Sequence, residues 1–194
     1  MNVATKKIPA LRRYYADVIV KDFLDRIACR NAHRVPKLVK VVINSAISAE
    51  SDKAWIEEIL KEVGMIAGRK PVITHSKRSI SNFKLRAGVP NGVKVTLRGD
   101  AMYEFVYRLI SVALPRIRDF RGLRAKFDGQ GNYTLGIQDD SIFLEVGVDR
   151  ERKSVGMDIT FVTSTSSDVE CHELLESLGM PFQKRRHVTE AQEA

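Results

Sequence analysis

Residues Val93 to Pro115 read VKVTLRGDAMYEFVYRLISVALP, and the change of period inside this stretch decides the fold. From Val93 to Arg98 apolar and polar side chains alternate. Val93, Val95 and Leu97 fall on one side of an extended chain, and Lys94, Thr96 and Arg98 on the other. From Asp100 the repeat lengthens to that of a helix, with Asp100 as its cap. Phe105, Val106, Leu109, Ile110 and Ala113 share one face, and Pro115 stops it. A strand with one wet face followed at once by a helix with one apolar face predicts an α+β protein. Its mostly antiparallel sheet is covered by helices on one face and open on the other.

The same reading extends outward in both directions. Towards the N-terminus, PVIT (Pro71 to Thr74) is a short strand and LVKVVIN (Leu38 to Asn44) a β-branched one. Between them Ser51 can cap a helix whose face carries Trp55, Ile59, Val63 and Ile66 or Ala67, ended by Gly68. Ahead of these, Pro9 can open a helix with Tyr15, Ile19, Phe23 and Ile27 in one stripe. Towards the C-terminus, RDFRGLRAKFDGQGNY is turn-rich, with Gly122, Gly129 and Gly131 at special backbone positions. Strands are expected around Ile142 to Val148 and over Met157 to Thr163. Ser167 and Glu170 form the capping box of a last helix, carrying Val169, Leu174, Leu175 and Leu178 and closed by Gly179 and Pro181. No repeat or Pro/Gly/Ser-rich linker divides the chain. Residues 1–186 are therefore expected to form one domain, with 187–194 as a flexible tail.

The charge is not spread evenly over this frame. The 194 residues carry a formal net charge of +8. From Val63 to Gly99 there is no acid, while Arg69, Lys70, Lys77, Arg78, Lys84, Arg86, Lys94 and Arg98 account for the whole excess. One basic block in a neutral frame is the footprint of a polyanion partner. It is densest in THSKRSISNFKLRAG (Thr74 to Gly88), where hydroxyls and Asn82 are interleaved with the cations as further donors to phosphate or ribose oxygens. Phe83 within it is expected to anchor the loop to the sheet, stacking on a base being the alternative.

Catalytic and membrane classes find little support. No apolar run approaches the roughly 18 residues of a membrane span, and the first ten residues lack the apolar core of a secretion signal. Two cysteines, Cys29 and Cys171, fit a reducing compartment better than a disulfide framework. Cys171 and His172 are adjacent on a helix, so their side chains diverge by about 100°. No CxxC, HExxH or GxSxG occurs, and the Gly129 to Gly131 GQG lacks the helix and Lys-Ser/Thr of a phosphate loop. No catalytic residue, cofactor or metal site is expected. Zinc-finger spacing, a basic region with heptads and the aromatic pair of RNA-recognition motifs are also missing. An open face of Lys and Thr suits a shaped, folded RNA.

Several long motifs in order then carry a resemblance. VKVTLRG, MYEFVYRLISVALPRIRDFRGL and FDGQGNYTLGI, with RRYYADVIVKDF, VPKLVKVVIN, GRKPVITHSKRS and SLGMPFQK, resemble the bacterial large-subunit ribosomal protein five family over roughly residues 9 to 185. The resemblance implies a non-catalytic, cytoplasmic ribosomal protein. It would bind 5S rRNA and help attach it, with large-subunit rRNA and neighbouring large-subunit proteins, in the central protuberance. By position, Lys37, Lys40, Asn44, Arg69, Thr74, Lys94, Thr96 and Arg98 would contact 5S rRNA. The long protruding basic loop, through Lys77, Arg78, Ser79, Lys84 and Arg86, would reach P-site transfer RNA. Phe127, Asp128, Gly129, Gln130, Gly131, Asn132 and Tyr133 would form the intersubunit bridge to a small-subunit head protein. Two departures stand out: SAIS follows Asn44 where a glycine-containing turn is usual, and Arg69 replaces a common Gln, gaining a phosphate donor and losing an acceptor. An RNA-modifying enzyme and a free regulatory RNA-binding module are the alternatives for the same basic surface.

Overall fold

The computed structural model describes residues 8–27, 31–48, 52–146 and 154–183. The expected tail 187–194, Cys29, Ser51 and the side chain of Ile27 lie outside the described residues. Five strands, β1 (Leu38–Ala46), β2 (Val72–His75), β3 (Pro90–Leu97), β4 (Asn132–Ile137) and β5 (Met157–Thr163), form one sheet in the order β2-β3-β1-β5-β4. Every neighbouring pair is antiparallel. The helices are α1 (residues 10–27), α2 (Lys53–Ala67), α3 (Gly99–Arg108, prolonged through Leu109–Ala113 and Leu114–Arg116) and α4 (Asp168–Ser177). α1 and α3 each contain one widened π turn, at Tyr15–Ile19 and Leu109–Ala113.

The alternation of β3 is realised as read. Val93, Val95 and Leu97 are buried, and Lys94 and Arg98 are exposed. β1 matches it from the other side of the ladder, since Val41 and Ile43 are buried and stand opposite Leu97 and Val95. β5 contributes Ile159 and Phe161, and β4 Tyr133 and Leu135, to the same layer. Above it lie Ile59, Val63 and Ile66 of α2, Phe105, Val106 and Leu109 of α3, and Leu174 and Leu175 of α4. Each fully buried side chain of this size contributes about 1.5–3 kcal/mol, so the helices stay on this face and leave the other uncovered.

Element boundaries differ from the sequence reading at several points, each for a local reason. α3 begins at Gly99, so Asp100 sits in its first turn, where it favours the positive helix end and pairs with Arg12 of α1. Asp52 holds the capping position of α2. Ser167 does hold the capping position of α4, but Glu170 bonds the Thr165 hydroxyl, which in turn accepts from the Ser167 N–H. Gly68 ends α2 in the left-handed region at φ 61, as expected.

Two larger corrections concern the C-terminal half. Residues 142–146 are not a strand: Ile142 ends a short helical turn, and Ile142, Phe143 and Val146 are buried while Leu144 is 68% exposed. The expected strand's last two residues, 147 and 148, lie outside the described residues. The missing strand is β4, directly after the GQG turn, where Tyr133, Leu135 and Ile137 alternate with Asn132, Thr134 and Gly136. In the SAIS stretch the first two residues, Ser45 and Ala46, extend β1 opposite Val93 and Gly92, and the buried Ser45 hydroxyl donates to the Gly156 carbonyl at 2.8 Å.

Candidate nucleic-acid interface

Pairing across the sheet converts the outward residues of five strands into a grid. One row runs Val72, Lys94, Asn44, Asp158, Gly136, and the next runs Thr96, Val42, Thr160, Thr134. A third begins where the register that sets Leu97 opposite Val41 brings Arg98 level with Lys40, and continues to Val162 and Asn132. Alternate residues are spaced about 7 Å along a strand and adjacent strands about 5 Å apart. The result is a shallow surface rather than a pocket, with cations towards the β3 side and hydroxyls towards β4.

Of the eight residues expected to meet RNA, Lys40, Asn44, Thr74, Lys94 and Thr96 stand on this face and Arg98 closes its end. Lys37 lies just ahead of β1, its backbone N–H bonded to Ser164 Oγ at 3.0 Å. Arg69 is exposed in the turn between α2 and β2. Thr74 donates its hydroxyl to the Gly92 carbonyl at 3.0 Å, so towards a ligand it offers an acceptor. Sequence reasoning missed Val42, Thr134, Asp158 and Thr160 on the same face. The alternation in MDITFVT carried that signal, and β4 completes it with the Thr134 and Thr160 hydroxyls 3.1 Å apart. Asp158 is the one acid among the strand residues of this face, an acceptor set into a surface of donors.

The segment between β2 and β3 is tied into a hairpin of its own. Near its base the Ser76 N–H donates to Val89 O, the Gly88 N–H to Ser76 O, and the Ala87 N–H to Ser79 Oγ. At its tip Ile80 and Leu85 exchange N–H···O bonds of 2.8 and 3.1 Å. Lys77, Arg78, Ser79, Lys84 and Arg86 are all exposed. Phe83 does not anchor the loop: it is 73% exposed.

The bridge candidates divide into scaffold and surface. Phe127 packs against Tyr133, His172 and Phe182, and Tyr133 is buried with its hydroxyl donating to Arg124 O. Gly131 has φ 71, and a Cβ there would come within 2.2 Å of the Thr165 carbonyl oxygen. The N–H groups of Gly129 and Gly131 donate to the Asp168 carboxylate at 3.1 and 2.9 Å, so the anion-binding concavity of this turn is filled from within. Asp128, Gly129 and Gln130 are exposed. Asp128 accepts from the Asn132 side chain and from the N–H groups of Asn132 and Gln130, which hold its carboxyl below the usual range.

These arrangements supply contact surface, not reaction chemistry. Burial pushes the Cys171 thiol up to about 11, far from a neutral-pH nucleophile. Its neighbour His172 stacks on Phe182, with centroids 4.7 Å apart. A groove of about 460 Å³ beside β4 is lined by Arg124, Lys126 and Asp128, the last already committed to three donors. Among the described residues no three His, Cys, Asp or Glu side chains cluster to hold a metal, and no helix is long and apolar enough to cross a membrane.

Fold and surface together define an α+β protein whose described helices cover one sheet face and leave the other, basic and hydroxyl-rich, open. The comparisons narrow this. The family model of ribosomal protein L5 matches residues 31–86, and the model of the same ribosomal family's C-terminus matches residues 90–182. The chain is 52% identical to the large ribosomal subunit protein uL5 of Protochlamydia amoebophila over 88% of its length and 92% of that protein's. It is 48% identical to uL5 of Oceanobacillus iheyensis (90% and 98% covered) and 48% identical to uL5c of Pleurastrum terricola (92% and 97%). The chain belongs to the uL5 family of large-ribosomal-subunit proteins, a structural and non-enzymatic family for which rRNA binding is general.

Proposed function

We propose that the chain binds 5S rRNA through the open sheet face and helps attach it in the central protuberance of a cytoplasmic ribosome. In the same assembly the hairpin between β2 and β3 meets P-site transfer RNA, and the exposed part of the Asp128–Gln130 turn meets a small-subunit head protein. One observation carries the reading: Lys40, Asn44, Lys94, Thr96 and Arg98 are set by strand register on a face that none of the described helices covers. Cations spaced this way neutralise phosphates and release counterions, while Asn44, Asp158 and the threonine hydroxyls make the shape-dependent contacts that folded RNA offers.

The test is equilibrium binding of the purified chain to 5S rRNA, to transfer RNA and to an unrelated folded RNA at two salt concentrations. A preference for 5S rRNA that survives raised salt supports the reading. Equal affinities that collapse together with salt refute it and leave only a basic surface. Replacing Lys77, Arg78, Ser79, Lys84 and Arg86 by Ala should spare 5S binding and weaken retention of P-site transfer RNA on ribosomes. The reverse outcome would overturn the division of sites.

A further inference from the structure

Phe83 is the most exposed large apolar side chain among the described residues, at 73%. Its position is built rather than frayed. The Phe83 N–H donates to Ile80 O at 3.3 Å and the Lys84 N–H to Ser81 O at 2.9 Å, above the reciprocal Ile80–Leu85 pair. Lys84 closes the turn at φ 50, a left-handed conformation that residues with a Cβ adopt at a cost. A ring kept in water on a defined turn forgoes the burial that Phe normally gains.

What surrounds the ring specifies what covers it. Lys77, Arg78, Lys84 and Arg86 belong to the same hairpin, and no acid occurs from Val63 to Gly99. An acidic protein surface would satisfy the cations, but most of a protein's aromatic faces are packed within its own core. An RNA duplex would also satisfy them, but its base faces are already stacked on one another. An unpaired base beside phosphates satisfies both.

We propose that the β2–β3 hairpin is a single-base stacking site: Phe83 lies on the face of an unpaired nucleobase of a folded RNA while the flanking cations hold the adjoining phosphates. Stacking of this kind tolerates any base, because each has a π face, and it adds little to the salt dependence, which the cations set. The proposal rests on the reading of the chain as an RNA-binding ribosomal protein, and it assigns to the hairpin a mode of contact that the charges alone do not imply.

The experiment compares the full chain with F83A, F83L and F83W for binding to transfer RNA, to a fully paired RNA duplex of similar length and to 5S rRNA. F83A should weaken transfer RNA binding about 5- to 150-fold, corresponding to the 1–3 kcal/mol of one stacked base. F83W should restore it and F83L should not. Duplex binding, 5S binding and the salt slope should stay unchanged. Unaltered transfer RNA binding by F83A, or no measurable binding by the parent chain, overturns the proposal. Full rescue by F83L overturns it in favour of a plain apolar contact, and an equal loss on the duplex overturns it in favour of a backbone role. The underlying reading fails separately, if the parent chain shows no preference for 5S rRNA over an unrelated RNA.

Discussion

Removing the charge of Lys94 isolates the electrostatic part of the sheet face. Lys94 is exposed, stands between Val72 and Asn44, and makes no ion pair among the described residues. Lys94→Gln keeps most of the side-chain length and should leave stability within about 0.5 kcal/mol of the parent. If Lys94 neutralises one RNA phosphate, the slope of log K against log salt should fall by about 0.7–0.9. Extrapolated from a 1 M reference, that one contact is worth about four- to fivefold in affinity at roughly 0.15 M salt and about 8- to 15-fold at roughly 0.05 M. Lys40 and Arg98 lie on the same face, and replacing all three by Gln should cost about 50- to 150-fold at roughly 0.15 M salt, if the contacts are independent. The assay is equilibrium binding to 5S rRNA across a salt series, with thermal unfolding as the control. A slope unchanged by the triple replacement, with the fold intact, would refute the assignment of this face to RNA.

Other consequences concern the frame that holds the face. Gly131→Ala puts a Cβ 2.2 Å from the Thr165 oxygen at φ 71. It should cost at least about 2 kcal/mol and lower Tm by roughly 4–8 °C; an unchanged Tm by calorimetry would mean that the turn can relax. Burial raises the Cys171 thiol from its ordinary 9.0 to about 11. The folded chain therefore keeps a proton that the unfolded chain loses, so urea stability should fall as pH rises from about 9 to 11. Cys171→Ala should flatten that decline between pH 9 and 10, below the tyrosine range; an identical decline would mean that other groups cause it. Tyr133→Phe removes the bond to Arg124 O and should cost about 0.5–1.5 kcal/mol by urea unfolding, with 5S rRNA affinity unchanged.

The sequence alone determined the elements whose period is unbroken. Alternation in VKVTLRG set which side of β3 is wet, because side chains of an extended chain must point to opposite faces. The helices with a clear apolar stripe, α1, α2 and α3, were legible for the same reason, and Gly68 as an αL terminator follows from glycine's missing Cβ. The concentration of charge between Val63 and Gly99 was also legible, since it is a property of composition.

Only the tertiary structure decided what depends on neighbours distant in the chain. Ile142 to Val148 and NYTLGI are both short apolar stretches, and pairing with β5 makes the second one a strand, while residues 142–146 fold back as a turn over the core. Asp158 and Thr160 join Asn44 and Thr96 because β5 runs antiparallel beside β1, a register that no local pattern states. Phe83 shows the limit most plainly. Its spacing from the strands fits an anchor, yet the Ile80–Leu85 pair closes the hairpin beneath it and leaves the ring in water. Local periodicity fixes the direction of a side chain relative to its own backbone, whereas its burial is set by what the rest of the chain brings against it.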